Sequence, residues 1–209
     1  MLLAHRKSSR MSRSHSGFTL IEVLVTFVVL AIGLLGIVSL QALSKTSQHQ
    51  GIQRTRAVAI ADALLEKIRI NPAGLTTYAI GLNPLGGGSI SSEPVPDCIS
   101  AVCTPTQMAG HDLWAWEQFL DGTAVTVDGG ATATAGLISP RACVTFTAAA
   151  GKTSTGLLQV LVQWRDLRET IDAVQSGDVD APCGGAAAGG DRLRRKVTAS
   201  TFVIDETEL

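Results

Sequence analysis

Four histidines and four cysteines are the residues of this chain best suited to catalysis or metal binding. His5 and His15 lie in a basic N-terminal segment and His49 in a helical stretch, which leaves His111 for a folded site. No motif for a nucleophile or a metal, such as G-x-S-x-G or H-E-x-x-H, accompanies it. We therefore expect no catalytic residues, no metal and no cofactor, and we place His111 at a helix start or on the surface.

The cysteines are better suited to disulfides than to a metal. None forms a C-x-x-C pair, and no histidine lies at zinc-finger spacing from them. Export would place the cysteines in an oxidising compartment, where disulfides form. Four cysteines permit three pairings. We favour Cys98–Cys103 and Cys143–Cys183 because the first two are close in sequence; buried free thiols are the alternative.

One carboxylate, Glu22, lies inside an apolar segment that begins at Phe18. No charged side chain occurs from Val23 to Ser44. As a helix these residues would span about 33 Å, against a hydrocarbon core of roughly 30 Å. A carboxylate at the centre of a membrane helix costs about 2.5–3.5 kcal/mol, and less near an interface. Glu22 is therefore a candidate functional residue.

Charge is distributed unevenly along the chain. Residues 1–17 contain four of the 17 basic residues and none of the 18 acidic residues, so the remainder carries a net charge of about -5. The basic flank predicts that residues 1–17 stay cytoplasmic and that the rest is exported. The acidic excess argues against a nucleic-acid partner.

Two ordinary explanations fit this N-terminus less well. A secretory signal peptide has an apolar region of about 7–15 residues followed by a small-residue cleavage site, and this apolar run is longer. A plain single-span anchor explains the length of the run but not the carboxylate of Glu22.

A resemblance to the prepilin signal of type IV pilins and pseudopilins is carried by the run Gly17-Phe18-Thr19-Leu20-Ile21-Glu22-Val23-Leu24-Val25. The resemblance implies that prepilin peptidase removes the leader, residues 1–17, by cutting after Gly17, and that the new terminus at Phe18 is N-methylated. It implies that Thr19, Leu20, Ile21 and Glu22 act in assembly, with the Glu22 carboxylate pairing with the N-terminal ammonium of a neighbouring subunit. Such pairing is what makes a charge tolerable in an apolar medium.

The stretch from Ala31 to Leu43 is similar to the minor pilins called type IV pilus modification proteins, PilV. Major pilins usually carry proline where Ser39 stands. The resemblance implies a minor pilin that takes part in pilus assembly or modification and supports attachment or twitching motility. Its partners would be prepilin peptidase, other major and minor pilins, and the assembly platform of the inner membrane.

Two other functions remain open. A pseudopilin of a type II secretion system would share the leader, Glu22 and the long helix. An adhesive module at a pilus tip could use the loops predicted at residues 71–110 and 172–191. Two roles are also open for Gly33 and Gly36. They could let this stretch of helix extend inside a filament, or they could allow close packing against other helices.

The helix is predicted to continue to Ile70. Residues 18–44 form its membrane or filament-core half, and residues 45–70 form an amphipathic half. The apolar stripe of that second half consists of Ala57, Ile60, Leu64 and Ile68. Asn71-Pro72 ends the helix.

Residues 71–209 are predicted to form the exported domain. Its first part, 71–110, is predicted to be a loop, in which we discount Gly86-Gly87-Gly88 as a phosphate site. A short helix over His111–Leu120 follows, with Trp114 and Trp116 in the core and Gly122 near its end. The predicted sheet, residues 124–204, has strands Ala124–Asp128, Ala142–Thr147, Leu157–Arg165 and Lys196–Ile204.

Together these elements predict an α+β fold, in which a long N-terminal, partly transmembrane helix packs on an antiparallel sheet of about four strands, as in type IV pilins. The predicted location is the inner membrane, with a single span and an exported C-terminal domain that is assembled into a cell-surface pilus.

Overall fold

The computed structural model describes residues 17–123, 125–127, 129, 132–133, 135–170, 183–184 and 191–208. The predicted leader up to residue 16 and most of the predicted loop at 172–191 lie outside these residues. The chain divides into two compact units, Met1–Lys45 and Thr46–Leu209. Helix α1 contributes residues to both units.

The elements follow one another in a helix-first order. The helices are α1 (Leu20–Ile70), a 3-10 turn (Pro72–Gly74), α2 (Leu75–Tyr78), α3 (Pro105–Asp121) and a final 3-10 turn (Glu206–Glu208). The strands are β1 (Gly81–Leu85), β2 (Thr126–Val127), β3 (Thr132–Ala133), β4 (Arg141–Ala148), β5 (Gly156–Arg165) and β6 (Arg194–Val203).

The second half of α1 buries the predicted apolar stripe. Ala57, Leu64 and Ile68 are fully buried, and Ile60 is partly buried against the same core. The helix ends at Ile70 because Pro72 disfavours helical backbone at Asn71 and begins a 3-10 turn of its own. The predicted helix-on-sheet fold is confirmed, since this stripe shares one core with the buried residues of a four-stranded antiparallel sheet.

The sheet has the strand order β1-β4-β5-β6, and all its pairs are antiparallel. On β5, Leu158, Val160, Val162 and Trp164 are at most 1% exposed, while Leu157 and Arg165 are exposed. These four side chains alternate along the strand and face the core, while on the other face Gln163 is also buried, at 1% exposed. In register, Val160 lies opposite Val144 on β4 and Ala199 on β6, which places three small apolar side chains side by side.

The predicted first strand, Ala124–Asp128, is wrong as a member of this sheet. Of the residues described there, 125–127, Thr126–Val127 is strand, and it pairs with β3 in a separate two-stranded ladder. The fourth strand of the main sheet is β1, within the region predicted to be a loop. Its sequence GLNPL contains the residues that indicate turns, and Pro84 is tolerated because β1 lies at the sheet edge. The register between Gly81 and Leu85 is also irregular.

Helix α3 begins six residues before its predicted start. Thr104 forms a capping box: its hydroxyl accepts from the Gln107 backbone N–H, and Gln107 accepts from the Thr104 N–H at 2.9 Å. Pro105 then takes the first helical position, where its missing N–H costs nothing. Gly122 ends the helix with a φ of 71°, and a Cβ there would lie 1.9 Å from Gly136 N.

Trp116 joins α3 to α1. It is 2% exposed, and its indole N–H donates to the Ile60 carbonyl oxygen at 2.9 Å. The predicted core position of Trp116 is therefore correct, whereas Trp114 is only half-buried. A second link is polar: the Asp112 carboxylate accepts from the Lys67 ammonium and from the Tyr78 hydroxyl. Burial, and then this hydrogen bond, raise the pKa of Tyr78 well above its ordinary value.

The glycine run after β1 is held by two carboxylates of α3. Glu117, which is fully buried, accepts from the N–H groups of Gly86 at 2.8 Å and of Ser89 and Ile90 at 2.6 Å, and from the Ser89 hydroxyl. Asp121, one turn later, accepts from Gly87 N at 2.7 Å and Gly88 N at 2.9 Å.

Backbone N–H groups that converge on one point form an anion site. Here the anions are the protein's own, which gives a physical reason to discount this run as a phosphate loop. Burial by itself would raise the pKa of Glu117. The hydrogen bonds from Ser89, Gly86 and Ile90 outweigh burial and hold the pKa below its ordinary value.

The four cysteines form the pairs Cys98–Cys103 and Cys143–Cys183. The first closes a short loop just before α3. The second ties a residue of β4 to Cys183, in the connection between β5 and β6. The next residue, Gly184, donates its N–H to the Leu82 carbonyl at 2.9 Å, so this part of the connection is fixed to the opposite edge of the sheet.

Replacing Glu117 with Gln should lower the free energy of unfolding at pH 7 by about 2 kcal/mol, since a charged acceptor with several donors is lost. Because the folded pKa is depressed, this contribution is present above the ordinary carboxyl pKa and is lost as pH falls through the folded value. The difference between wild type and Glu117→Gln, compared at pH 7 and in acid below the ordinary carboxyl pKa, should therefore be smaller in acid. Urea unfolding of the full chain in detergent, followed by tryptophan fluorescence, measures it.

The exposed Glu206→Gln serves as the matched control and should match the wild type throughout. A Glu117→Gln difference that is the same at both pH values would show that the carboxylate charge contributes nothing.

Removing Cys143–Cys183 should destabilise the protein more than removing Cys98–Cys103. The chain-entropy model gives about 4 kcal/mol for a separation of 40 residues and about 2 kcal/mol for one of 5. Paired serine substitutions at each bridge, compared by urea unfolding without reductant, test this order. Equal losses, or a larger loss for Cys98–Cys103, would mean that native-state contacts outweigh loop closure.

Candidate assembly site

The start of α1 is built from the predicted assembly motif. Gly17, Phe18 and Thr19 precede the helix without regular structure, and α1 begins at Leu20. Thr19 supports the first turn, since its carbonyl oxygen accepts from Glu22 N at 3.1 Å and from Val23 N at 3.3 Å. Its hydroxyl also lies 3.4 Å from Glu22 N. A threonine at this position satisfies N–H groups that a helix start otherwise leaves unpaired.

Glu22 lies in the first turn of α1. A negative charge is favoured there because the N-terminal end of a helix carries partial positive charge. Its neighbours along the chain are apolar and exposed: Phe18, Leu20 and Ile21 expose between 69% and 85% of their surface. Among the ion pairs of the described residues, none involves Glu22. Within residues 17–123 and the other described ranges, the motif thus presents a carboxylate without a cationic partner on an apolar surface.

The apolar run after Glu22 is helical throughout and exposed at every residue up to Lys45. It is long and apolar enough to cross a membrane. Gly33 and Gly36 do not interrupt the helix, and a Cβ at either would meet no atom within 4 Å. Neither glycine is therefore required by contacts within this chain. Ser39 also fits the helix, because its hydroxyl donates to the Leu35 carbonyl oxygen at 3.0 Å.

The predicted site residues are divided between the two units of the chain. Gly17 to Glu22 form one contiguous motif in the first unit, and all four cysteines belong to the second unit.

The prediction that His111 lies at a helix start or on the surface is wrong. It lies in the middle of α3, is 6% exposed, and directs Nε2 toward the carboxylates of Glu93 and Asp97. The apolar spacing predicts a helix start at His111, whereas the capping box at Thr104 starts α3 at Pro105 and places residue 111 in its middle. Among the described residues, these three are the group whose donor atoms could hold a metal ion.

Two family models match adjoining parts of the chain. One, described as the prokaryotic N-terminal methylation motif, matches residues 12–38, which include Gly17 to Glu22 and much of the apolar run. The other, described as type IV pilin Tt1218, matches residues 39–114, from the later part of α1 into α3. No curated protein and no solved structure matches the chain.

These matches agree with the geometry described above. The methylation motif covers the exposed apolar helix start that carries Glu22, and the pilin match covers the amphipathic half of α1 that packs into the core of the sheet. The two matches and the helix-on-sheet fold identify this chain as a type IV pilin-like protein.

Proposed function

We propose that this protein is a minor type IV pilin of the PilV type, which prepilin peptidase matures and which takes part in pilus assembly or modification. In this role it supports attachment or twitching motility. The observation that carries the proposal is the motif from Gly17 to Glu22, placed at the start of an exposed apolar helix. The match to the N-terminal methylation motif supports it.

The surroundings of Gly17 favour recognition by another protein. Gly17 is exposed, lies before the helix, and a Cβ there would meet no atom within 4 Å. The fold therefore gives no reason for glycine at this position. A peptidase that must approach the backbone closely on both sides of the Gly17–Phe18 bond does give a reason, because glycine presents no side chain.

Glu22 favours an interaction between subunits. Its carboxylate lies in an apolar stretch and forms no ion pair among the described residues. An isolated charge in such a medium is costly unless a partner of opposite charge is supplied. Cleavage after Gly17 creates such a charge, the ammonium group of Phe18, on every subunit. Pairing Glu22 with the Phe18 terminus of a neighbour would fix the axial register of the two helices.

The minor-pilin assignment rests on the stretch from Ala31 to Leu43, with Ser39 where major pilins usually carry proline. Proline would remove a helical hydrogen bond and kink the helix, whereas Ser39 keeps its turn intact. The main alternative is a pseudopilin of a type II secretion system, which would need the same N-terminal features. The two assignments differ in where the mature protein is found: in surface filaments for a minor pilin, and in membranes alone for a pseudopilin.

Replacing Gly17 with Leu should leave the uncleaved precursor in the membrane, because a bulky side chain would block the peptidase. Mass spectrometry of membranes and sheared surface filaments from the native host measures this. The wild type should yield a peptide that begins at methylated Phe18 in the filament fraction. Normal maturation of Gly17→Leu would contradict the proposed cleavage site, and a wild-type peptide found only in membranes would favour the pseudopilin.

Replacing Glu22 with Ala should permit cleavage but reduce the amount of protein in sheared filaments by about tenfold or more, which corresponds to losing an interaction of at least 1.4 kcal/mol. Glu22→Gln separates charge from size and should behave like Glu22→Ala. Thr26→Ala, one turn further on, is the matched control, since its hydroxyl only donates to the Val23 carbonyl. Wild-type incorporation of both Glu22 variants would rule out the proposed ion pair.

A further inference from the structure

We propose that Glu93, Asp97 and His111 form a binding site for a divalent transition-metal ion such as Zn²⁺. The Nε2 atom of His111 lies 3.1 Å from Oε1 of Glu93 and 3.7 Å from Oδ1 of Asp97. The three donor atoms all lie within 4.8 Å of one another. Zinc binds such ligands at about 2.0–2.2 Å, which puts neighbouring ligand atoms about 3–4 Å apart.

The burial of His111 supports a site that is built in advance. The imidazole belongs to α3 and is 6% exposed, so its position is fixed by the helix and its packing. Its ring also lies 5.5 Å from the Trp114 ring, tilted by 56°. Nε2 is the ring nitrogen that faces the two carboxylates.

The two carboxylates come from a segment that is itself held in place. Asp97 directly precedes Cys98, which is joined to Cys103. Its side chain accepts from Ile99 N at 2.8 Å and from the Ser100 hydroxyl at 2.9 Å. These two hydrogen bonds hold the Asp97 carboxylate in one orientation beside His111. Hydrogen bonds of this kind orient metal ligands.

The charge balance also favours a cation. Within the part of the chain that the structure describes, the ion pairs of Glu93 and Asp97 are both with His111. Two carboxylates that converge on one imidazole offer a divalent ion two oxygen ligands beside a nitrogen ligand. The Glu93 and Asp97 side chains are 42% and 43% exposed, so an ion has access from solvent and water can complete its coordination.

The ligand types select the class of metal. Imidazole is a good ligand for zinc, nickel, copper and iron, whereas calcium and magnesium prefer sites made of oxygen atoms alone. One nitrogen with two carboxylate oxygens therefore fits a transition-metal ion. A bound ion would connect the segment around Cys98 to the middle of α3, in addition to the disulfide.

The test is Zn²⁺ binding to the full chain in detergent micelles, without a polyhistidine tag, by equilibrium dialysis and metal analysis. We expect one saturable site for each chain. Glu93→Gln and Asp97→Asn, at partly exposed positions, should each weaken the site by about tenfold or more, and His111→Gln should abolish it. His49→Gln is the matched control and should bind as the wild type does. Circular dichroism checks that each variant is folded.

Three results would overturn the proposal. One is the absence of a saturable site in the wild type. Another is unchanged affinity in both Glu93→Gln and Asp97→Asn, which would make the group a hydrogen-bonded cluster only. The third is displacement of Zn²⁺ by an equal concentration of Ca²⁺, which would assign the site to a different class of ion. None of these results depends on whether the protein enters a pilus.

Discussion

The exposed apolar surface of the first half of α1 is the constraint on which the rest of the molecule depends. Every described residue up to Lys45 is exposed, and the run after Glu22 carries no charge until that lysine. Water is a poor solvent for so much apolar area. The segment therefore requires lipid or other apolar helices around it, and in both surroundings a helix satisfies its own backbone. Under that constraint the Glu22 carboxylate is costly unless a group of opposite charge pairs with it.

The second half of the same helix differs from the first, because it buries one face in the core of the second unit. Small residues such as Ala57 and Ala61 lie at the buried positions together with Leu64 and Ile68. Polar links then set the positions of the neighbouring elements: Trp116 donates to a carbonyl of α1, and Asp112 joins Lys67 to Tyr78. Direction and distance in such bonds are specific, so they orient elements that apolar contact alone would leave free to slide.

The elements with strong local patterns could be predicted from sequence, and those that depend on distant contacts could not. The stripe of α1 and the alternation of β5 are periodic, and Pro72 marks the end of α1. Strand β1 has no such pattern, since its Gly81 and Pro84 resemble a loop and only pairing with β4 makes it a strand. The assembly motif is contiguous and was recognised as such. His111, Glu93 and Asp97 are up to 18 residues apart, and no spacing rule joins them.

The capping of α3 has a consequence for how the surface of the second unit, Thr46–Leu209, can change. Ile90 is fixed by Glu117 and Thr104 by its capping box, so both ends of the intervening segment are attached to the same rigid helix. The cost of closing a flexible loop grows only slowly with its length, by about 0.6 kcal/mol for each doubling. Insertions between Ile90 and Glu93 would leave the sheet and the bridge at Cys98 untouched. This stretch is therefore a natural place for sequence divergence and a practical one for displaying a foreign peptide.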